Sequence, residues 1–101
     1  MDSKKAEEFR DSEIFNEKVT LEIVNSTGVD GLGSKVGFLL SNLGVNVISI
    51  RNGEANNTKI SVKGKGSQTL GRIEKLFKVK AQADETNSIA DITINIGKDS
   101  L

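Results

Sequence analysis

The segment at residues 19–44 constrains the fold of this chain more than any other part of its sequence. Apolar and polar residues alternate over its first five positions, which is the pattern of a strand buried on one side. After a glycine-rich turn, apolar residues recur on one helical face at Leu32, Val36, Leu39, Leu40 and Leu43. Gly44 suits the left-handed residue that ends a helix. We therefore predict a strand, a turn and a helix, with Asp30 as the helix N-cap.

The chain then continues with further strands. Residues 45–50 are predicted as the second strand, and apolar residues alternate with polar ones in two more segments, at residues 60–62 and 92–96. Asn52-Gly53 opens a polar connection and predicts a hairpin between the second and third strands, with a loop longer than two residues. Residues near Val79 also suit a short edge strand.

A second amphipathic helix is predicted between the third and last strands. Ser67 is its predicted cap, and its buried face is formed by Leu70, Ile73, Leu76 and Phe77. Two strand–helix–strand units around one core predict an α+β fold: a two-layer, ferredoxin-like βαββαβ sandwich with two helices on one face of a four-stranded sheet. We expect the other sheet face to be open and polar, with Thr20, Glu22, Lys59, Ser61, Lys63, Asp91, Thr93 and Asn95.

The chain of 101 residues is short enough to form one folded domain. Its first 17 residues carry three basic and six acidic side chains and have no apolar helical stripe. We expect residues 1–17 to be a flexible polar segment and residues 18–101 to form the domain. No apolar stretch approaches the roughly 20 residues that span a bilayer, so we expect no membrane span in this chain.

The residue types that carry most enzyme chemistry are missing or poorly placed. The chain has no His and no Cys, which removes the commonest general base, the commonest metal ligand and any thiolate nucleophile. Asp30, Asp91 and Asp99 lie beside turns or on the polar sheet face, where we expect solvated or capping carboxylates. The sequence therefore predicts no catalytic residue, no cofactor and no metal site.

The glycine-rich turn at residues 28–35 matches a phosphate-binding loop only in part. Such a loop needs a lysine followed by Ser or Thr after its last glycine, but here Ser34 precedes Lys35. The sequence favours a structural turn over an anion site and leaves both interpretations open.

Positive charge is concentrated at residues 59–80. Glu74 is the single acidic residue in this range, against Lys59, Lys63, Lys65, Arg72, Lys75, Lys78 and Lys80. Such a cluster is either a solvated face or a contact surface for a polyanion. Sequence-reading RNA modules of this fold also stack bases on aromatic side chains of the sheet, and none of the four Phe residues falls on a predicted strand.

Two motifs resemble those of a known bacterial family, the LytR/CpsA/Psr C-terminal domain family. Residues 19–44, with Val-Asn-Ser-Thr-Gly-Val-Asp-Gly-Leu-Gly at their centre, resemble its opening motif of a strand, Asn-Gly-Thr-Gly-x-x-Gly-Leu-Ala and a helix. Residues 90–99 resemble its closing Ala-Asp-Ile strand, which ends in Gly-x-Asp. The resemblance covers about residues 18–99, with Ser26 and Gly33 standing where the family often has Gly and Ala.

The resemblance implies an extracytoplasmic, non-catalytic accessory domain within a longer anchored or secreted protein of the bacterial cell envelope. It implies peptidoglycan, an anionic wall glycopolymer or a partner protein as the binding partner, and it assigns no catalytic residue. The candidate contact surface consists of Thr20, Glu22, Lys59, Ser61, Lys63, Lys65, Thr93 and Asn95. An intracellular nucleic-acid-binding module, using the basic cluster at residues 59–80, is the alternative from another functional class.

Overall fold

Five strands and two helices make up the part of the chain that the computed structural model describes, namely residues 17–63, 68–83 and 89–100. In chain order the elements are β1 (Thr20–Asn25), α1 (Leu32–Leu43), β2 (Asn46–Asn52), β3 (Lys59–Val62), α2 (Gln68–Phe77), β4 (Ala81–Ala83), β5 (Ile92–Ile96) and a 3-10 turn (Lys98–Ser100). Residues 1–16 of the predicted flexible segment, the predicted cap Ser67 and the candidate site residue Lys65 lie outside the described residues.

The strands form one mixed sheet in the order β2-β1-β5-β3-β4. β1 is parallel to both of its neighbours, β5 is antiparallel to β3, and β3 is parallel to β4. The predicted α+β class with two helices is confirmed. The predicted four-stranded, ferredoxin-like arrangement is not, because the sheet has five strands and each helix connects strands that are direct neighbours rather than strands split by a third. The fifth strand is β4, which forms two residues after Val79.

The predicted hairpin after β2 is wrong, because β1 and β5 lie between β2 and β3 in the sheet. The connection at residues 53–58 instead crosses the carboxyl ends of these two central strands. Gly53 donates its N–H to the carbonyl of Asn25 at 3.0 Å, and the carbonyl of Asn56 accepts the N–H of Asp99 at 3.2 Å. The Asn-Gly pair therefore begins a crossing connection instead of a tight turn.

One face of the sheet packs against both helices. The buried cluster takes alternate residues from the central strands and apolar residues from each helix: Leu21, Ile23, Leu40, Val45, Ile60, Leu70, Ile73, Ile92, Ile94 and Ile96. α1 approaches the sheet closely at Gly33 and Gly37, where an added Cβ would lie 2.9 Å from side-chain atoms of Ile50. This fixes α1 over β1 and β2 and leaves the opposite sheet face to the polar residues.

The structure tests one of the two predicted helix caps, since Ser67 lies outside the described residues. The N-cap of α1 is Gly31, in a left-handed conformation with φ 81° and no side-chain cap bond, so the prediction of Asp30 is wrong. At the other end Gly44 adopts φ 108°, as predicted. The start of α2 is capped by Glu17, whose carboxylate accepts the N–H groups of Gln68 and Thr69 at 2.9 and 2.8 Å.

The apolar stripes of the helices are less completely buried than their spacing predicts. Leu40 and Ile73 are buried, but Leu39 on α1 is 63% exposed and Leu76 on α2 is 53% exposed. The two helices sit over different strands, so the sides that face each other leave a groove above the core.

Candidate binding face

The sheet face opposite the helices carries the residues predicted for the binding surface. We call this surface the polar face; among the described residues it comprises Thr20, Glu22, Lys59, Ser61, Lys63, Thr93 and Asn95. The strand register places Glu22 beside Thr93, and Thr93 in turn beside Ser61. The next row places Lys59 opposite Asn95. The structure therefore brings together all the predicted site residues that it describes.

The polar face is not uniformly open, which corrects the expectation from sequence. Lys59 and Lys63 are exposed, whereas Thr20, Ser61, Thr93 and Asn95 are half-buried. Glu22 is only 7% exposed. Its carboxylate lies 3.4 Å from Nε of Arg51 on the edge strand β2, which covers it from one side. The accessible part of the surface is thus the side formed by β3 and β5.

Arg51 also belongs to this face, although the sequence analysis did not place it there. The register of β2 against β1 shifts between Leu21 and Glu22, so that Val47 pairs with Leu21 and Ser49 with Glu22. This irregularity leaves Ile48 without a partner and lets Val47 and Ile50 both turn toward the helices. A single extra residue in a strand cannot be recognised from alternation alone.

The connection at residues 53–58 limits the polar face at the carboxyl ends of the strands. An added Cβ at Gly53 would lie 2.5 Å from a side-chain atom of Val24 and 2.8 Å from Oγ of Ser26. Val24 is accordingly buried although it lies on the polar side of β1. Ser26 donates its hydroxyl to Oδ1 of Asn95 at 2.7 Å, which ties the turn after β1 to β5.

The glycine-rich turn after β1 is closed by its own side chains. Nδ2 of Asn25 donates to the carbonyl of Val29 at 2.9 Å, while its Oδ1 accepts the N–H and the hydroxyl of Thr27 at 3.1 and 2.6 Å. The hydroxyl of Thr27 accepts the N–H of Val29 at 3.1 Å. Gly28 and Gly31 have positive φ. Because the turn engages these donors internally, its geometry favours the structural interpretation over an anion site.

The closing motif also acts through structural hydrogen bonds. The carboxylate of Asp91 accepts the N–H and the hydroxyl of Thr20, both at 3.1 Å. The carboxylate of Asp99 accepts the N–H of Thr58 at 2.9 Å and its hydroxyl at 2.7 Å, and that hydroxyl in turn accepts the N–H of Gly97 at 3.1 Å. Hydrogen bonds from the Thr58 hydroxyl and N–H hold the pKa of Asp99 below its ordinary value.

The described members of the basic cluster predicted from sequence do not share one surface. Lys59 and Lys63 belong to the polar face, whereas Lys75, Lys78 and Lys80 line a shallow depression of about 410 Å³ at the end of α2. The aromatic residues within the described ranges, Phe38 and Phe77, lie on the helices. The polar face as described therefore offers hydroxyl, amide and ammonium groups, without a stacking platform for bases.

The described residues lack both a cluster of metal-binding side chains and a membrane-spanning helix. Within residues 17–63, 68–83 and 89–100, His, Cys, Asp and Glu side chains do not form a group of three that could hold a metal ion. Neither of the helices in these ranges has the length and apolar character needed to cross a membrane.

Comparison with known proteins gives one family. Residues 18–99 match the family model described as the LytR cell envelope-related transcriptional attenuator, and the matched residues include every strand and helix of the structure. Neither the curated proteins nor the solved structures contain a match to this chain. Because the family model matches most of the chain, this chain belongs to the LytR C-terminal domain family of cell-envelope proteins.

Proposed function

We propose that this domain is a non-catalytic, extracytoplasmic binding module that contacts peptidoglycan or an anionic wall glycopolymer through its polar face. Membership of a cell-envelope family supports the compartment and the class of partner. The observation that carries the proposal is the pairing of β3 with β5, which sets Lys59 beside Asn95 and Ser61 beside Thr93 on one surface.

The chemistry of this surface suits a hydroxylated and negatively charged polymer. Side chains directly opposite each other in an antiparallel pair have Cβ atoms about 4.5–5.5 Å apart, so these four groups lie within one small area. Hydroxyl and amide groups can donate to and accept from sugar hydroxyls and acetamido groups. The ammonium groups of Lys59 and Lys63 can attract phosphate or carboxylate.

The motif carboxylates support a binding role over a catalytic one. Asp91 and Asp99 are engaged by backbone N–H and hydroxyl donors that fasten β1 and the crossing connection. The bonds from Thr58 lower the pKa of Asp99, which makes this carboxyl group poorly suited to act as a general acid near neutral pH. These two motif residues therefore stabilise the strands and the connection around the polar face.

Sedimentation with purified bacterial walls tests the proposal. The full chain is mixed with intact walls and with walls stripped of their anionic polymer, at low and at high salt. We expect retention on intact walls that weakens as salt rises, because charge contacts are screened. Lys59→Glu should lower the affinity about fivefold, which corresponds to roughly 1 kcal/mol for one charge contact.

The matched control is Lys35→Glu, which reverses an exposed charge on α1, in the other layer of the molecule. It should retain the affinity of the unaltered chain. Equal losses for the two variants would indicate a general charge effect rather than a site, and no retention of the unaltered chain at low salt would contradict wall binding. Equal retention on stripped and on intact walls would point to peptidoglycan as the partner.

A further inference from the structure

An apolar groove runs between the two helices, on the side of the molecule opposite the polar face. It has a volume of about 510 Å³, and its apolar lining comes from Val36, Leu39, Leu40, Leu43, Leu76 and Phe77. This volume lies within the range of ligand pockets in proteins. Leu39 and Leu76, one from each helix, are more than half exposed at its rim.

The apolar surface extends beyond the groove along α1. Phe38 is 68% exposed and, with Leu39, lines an adjoining shallow depression that also includes Ser34 and Lys35. Single exposed apolar residues are normal on protein surfaces, but a contiguous patch indicates an interaction site. Exposed Leu and Phe side chains on two adjacent helices are such a patch.

The groove is flanked by positive charge. Lys35 precedes Leu39 by one turn of α1, and Arg72 precedes Leu76 by one turn of α2, so each cation lies on the same side of its helix as the exposed leucine. Both cations are exposed, and neither forms an ion pair within the described residues. The acidic residue of α2, Glu74, is instead hydrogen-bonded to the N–H of Ala81 at 2.8 Å. The rim therefore complements a negatively charged partner.

We propose that this groove is the docking site for an amphipathic α-helix with acidic flanks, supplied by a protein partner. A helix suits the groove because its floor is itself built from two helices and can receive apolar anchors spaced at i, i+4 and i+7. α1 has 12 residues, which makes it about 18 Å long, so a partner helix of about three turns would fill the groove. Acidic residues beside the anchors would meet Lys35 and Arg72.

Titration of isotopically labelled full chain with designed peptides tests the proposal. The probe is a 15-residue amphipathic peptide with leucines at i, i+4, i+7 and i+11 and glutamates beside them. A second peptide keeps the leucines and carries lysines in place of the glutamates. We expect the acidic peptide to shift the methyl resonances of Leu39 and Leu76 and to bind about tenfold more tightly than the basic one.

Variants of the chain locate the contact. Leu39→Ser removes an exposed anchor and should weaken binding of the acidic peptide about tenfold with the thermal unfolding midpoint retained. Ile89→Ser is the matched control, because Ile89 is 75% exposed and is not part of the groove lining; it should bind as the unaltered chain does.

Four outcomes would overturn the proposal. They are unchanged Leu39 and Leu76 methyl resonances with the acidic peptide, equal affinities for the acidic and basic peptides, a dimer in sedimentation that Leu39→Ser dissociates, and methyl shifts induced by anionic lipid vesicles but not by the peptide. The third outcome would assign the groove to a second copy of this chain, and the fourth would assign it to a membrane surface.

Discussion

At the scale of single residues, the two family motifs meet at the connection that crosses the sheet. Thr58 of this connection donates to Asp99 of the closing motif. Ser26 of the opening motif donates to Asn95 of the closing motif. Gly97 lies directly under the crossing backbone: an added Cβ would come within 2.7 Å of the carbonyl oxygen of Asn56 and the backbone nitrogen of Thr58. Hydrophobic periodicity does not predict this role of Gly97, because it carries no information on where two backbone segments approach each other closely.

Gly97→Ala should destabilise the domain by about 1–3 kcal/mol, because the atoms that a methyl group would meet belong to the backbone and cannot rotate away. Gly71→Ala is the matched control. Gly71 lies inside α2 with open space around its Cβ position, so alanine there should stabilise the helix by about 0.5–1 kcal/mol. Urea unfolding of both variants measures the two values, and a Gly97→Ala domain as stable as the unaltered one would contradict the crossing connection.

At the scale of elements, the periods of the apolar residues predicted helices and strands correctly, whereas the groups at their ends were harder to predict. Asp30 is a good N-cap by residue type, yet Gly31 takes that place in a left-handed conformation. The carboxylate that caps α2 comes from Glu17, 51 residues away in the chain. Such a cap forms because the start of β1 and the end of β3 lie at the same end of the sheet, and local sequence does not carry that information.

The Glu17 cap predicts a pH dependence. The hydroxyl of Thr69, together with the N–H groups of Thr69 and Gln68, lowers the pKa of Glu17 from its ordinary value of 4.5, against a smaller opposing effect of burial. A group with a lowered folded-state pKa adds stability above its unfolded-state pKa, and this stability is lost as the pH falls through the folded-state value. Glu17→Gln should therefore reduce stability at pH 7 by less than about 1 kcal/mol, since the exposed carboxylate is screened by solvent.

The variant should also lose less stability than the unaltered chain between pH 5 and pH 3, a range set roughly by ordinary carboxylate pKa values. Asp30→Asn is the matched control, because α1 has no side-chain cap bond to lose. Thermal unfolding across this pH range measures the effect. If Glu17→Gln and Asp30→Asn behave alike, Glu17 does not cap α2 in solution.

At the scale of the whole molecule, the sequence predicted the two helices found in the described residues and the face on which they pack, but not the order of the strands. The strict alternation of residues 19–23 and 92–96 assigned each side chain to a face, and the register confirms those assignments. Alternation says nothing about which strands are neighbours. The Asn52-Gly53 pair suggested a hairpin, while the actual partners of β2 and β3 are β1 and β5.

The same limit applies to the candidate site. The polar face was predicted because side-chain direction follows from strand period. The burial of Glu22 beneath Arg51, and of Val24 beneath Gly53, depends on the strand order and on the path of the crossing connection. Those features restrict the accessible surface to the side formed by β3 and β5, and they arise from contacts between segments distant in the chain.

The most direct test of the proposed binding function is backbone chemical-shift mapping of the full chain during titration with a soluble anionic wall glycopolymer, repeated with soluble peptidoglycan fragments. With at least one of the two, we predict concentration-dependent amide shifts at residues 59–63 and 92–96, with the amides of α1 unchanged. Shifts confined to the helices, or no shifts with either polymer, would contradict a binding surface on the polar face.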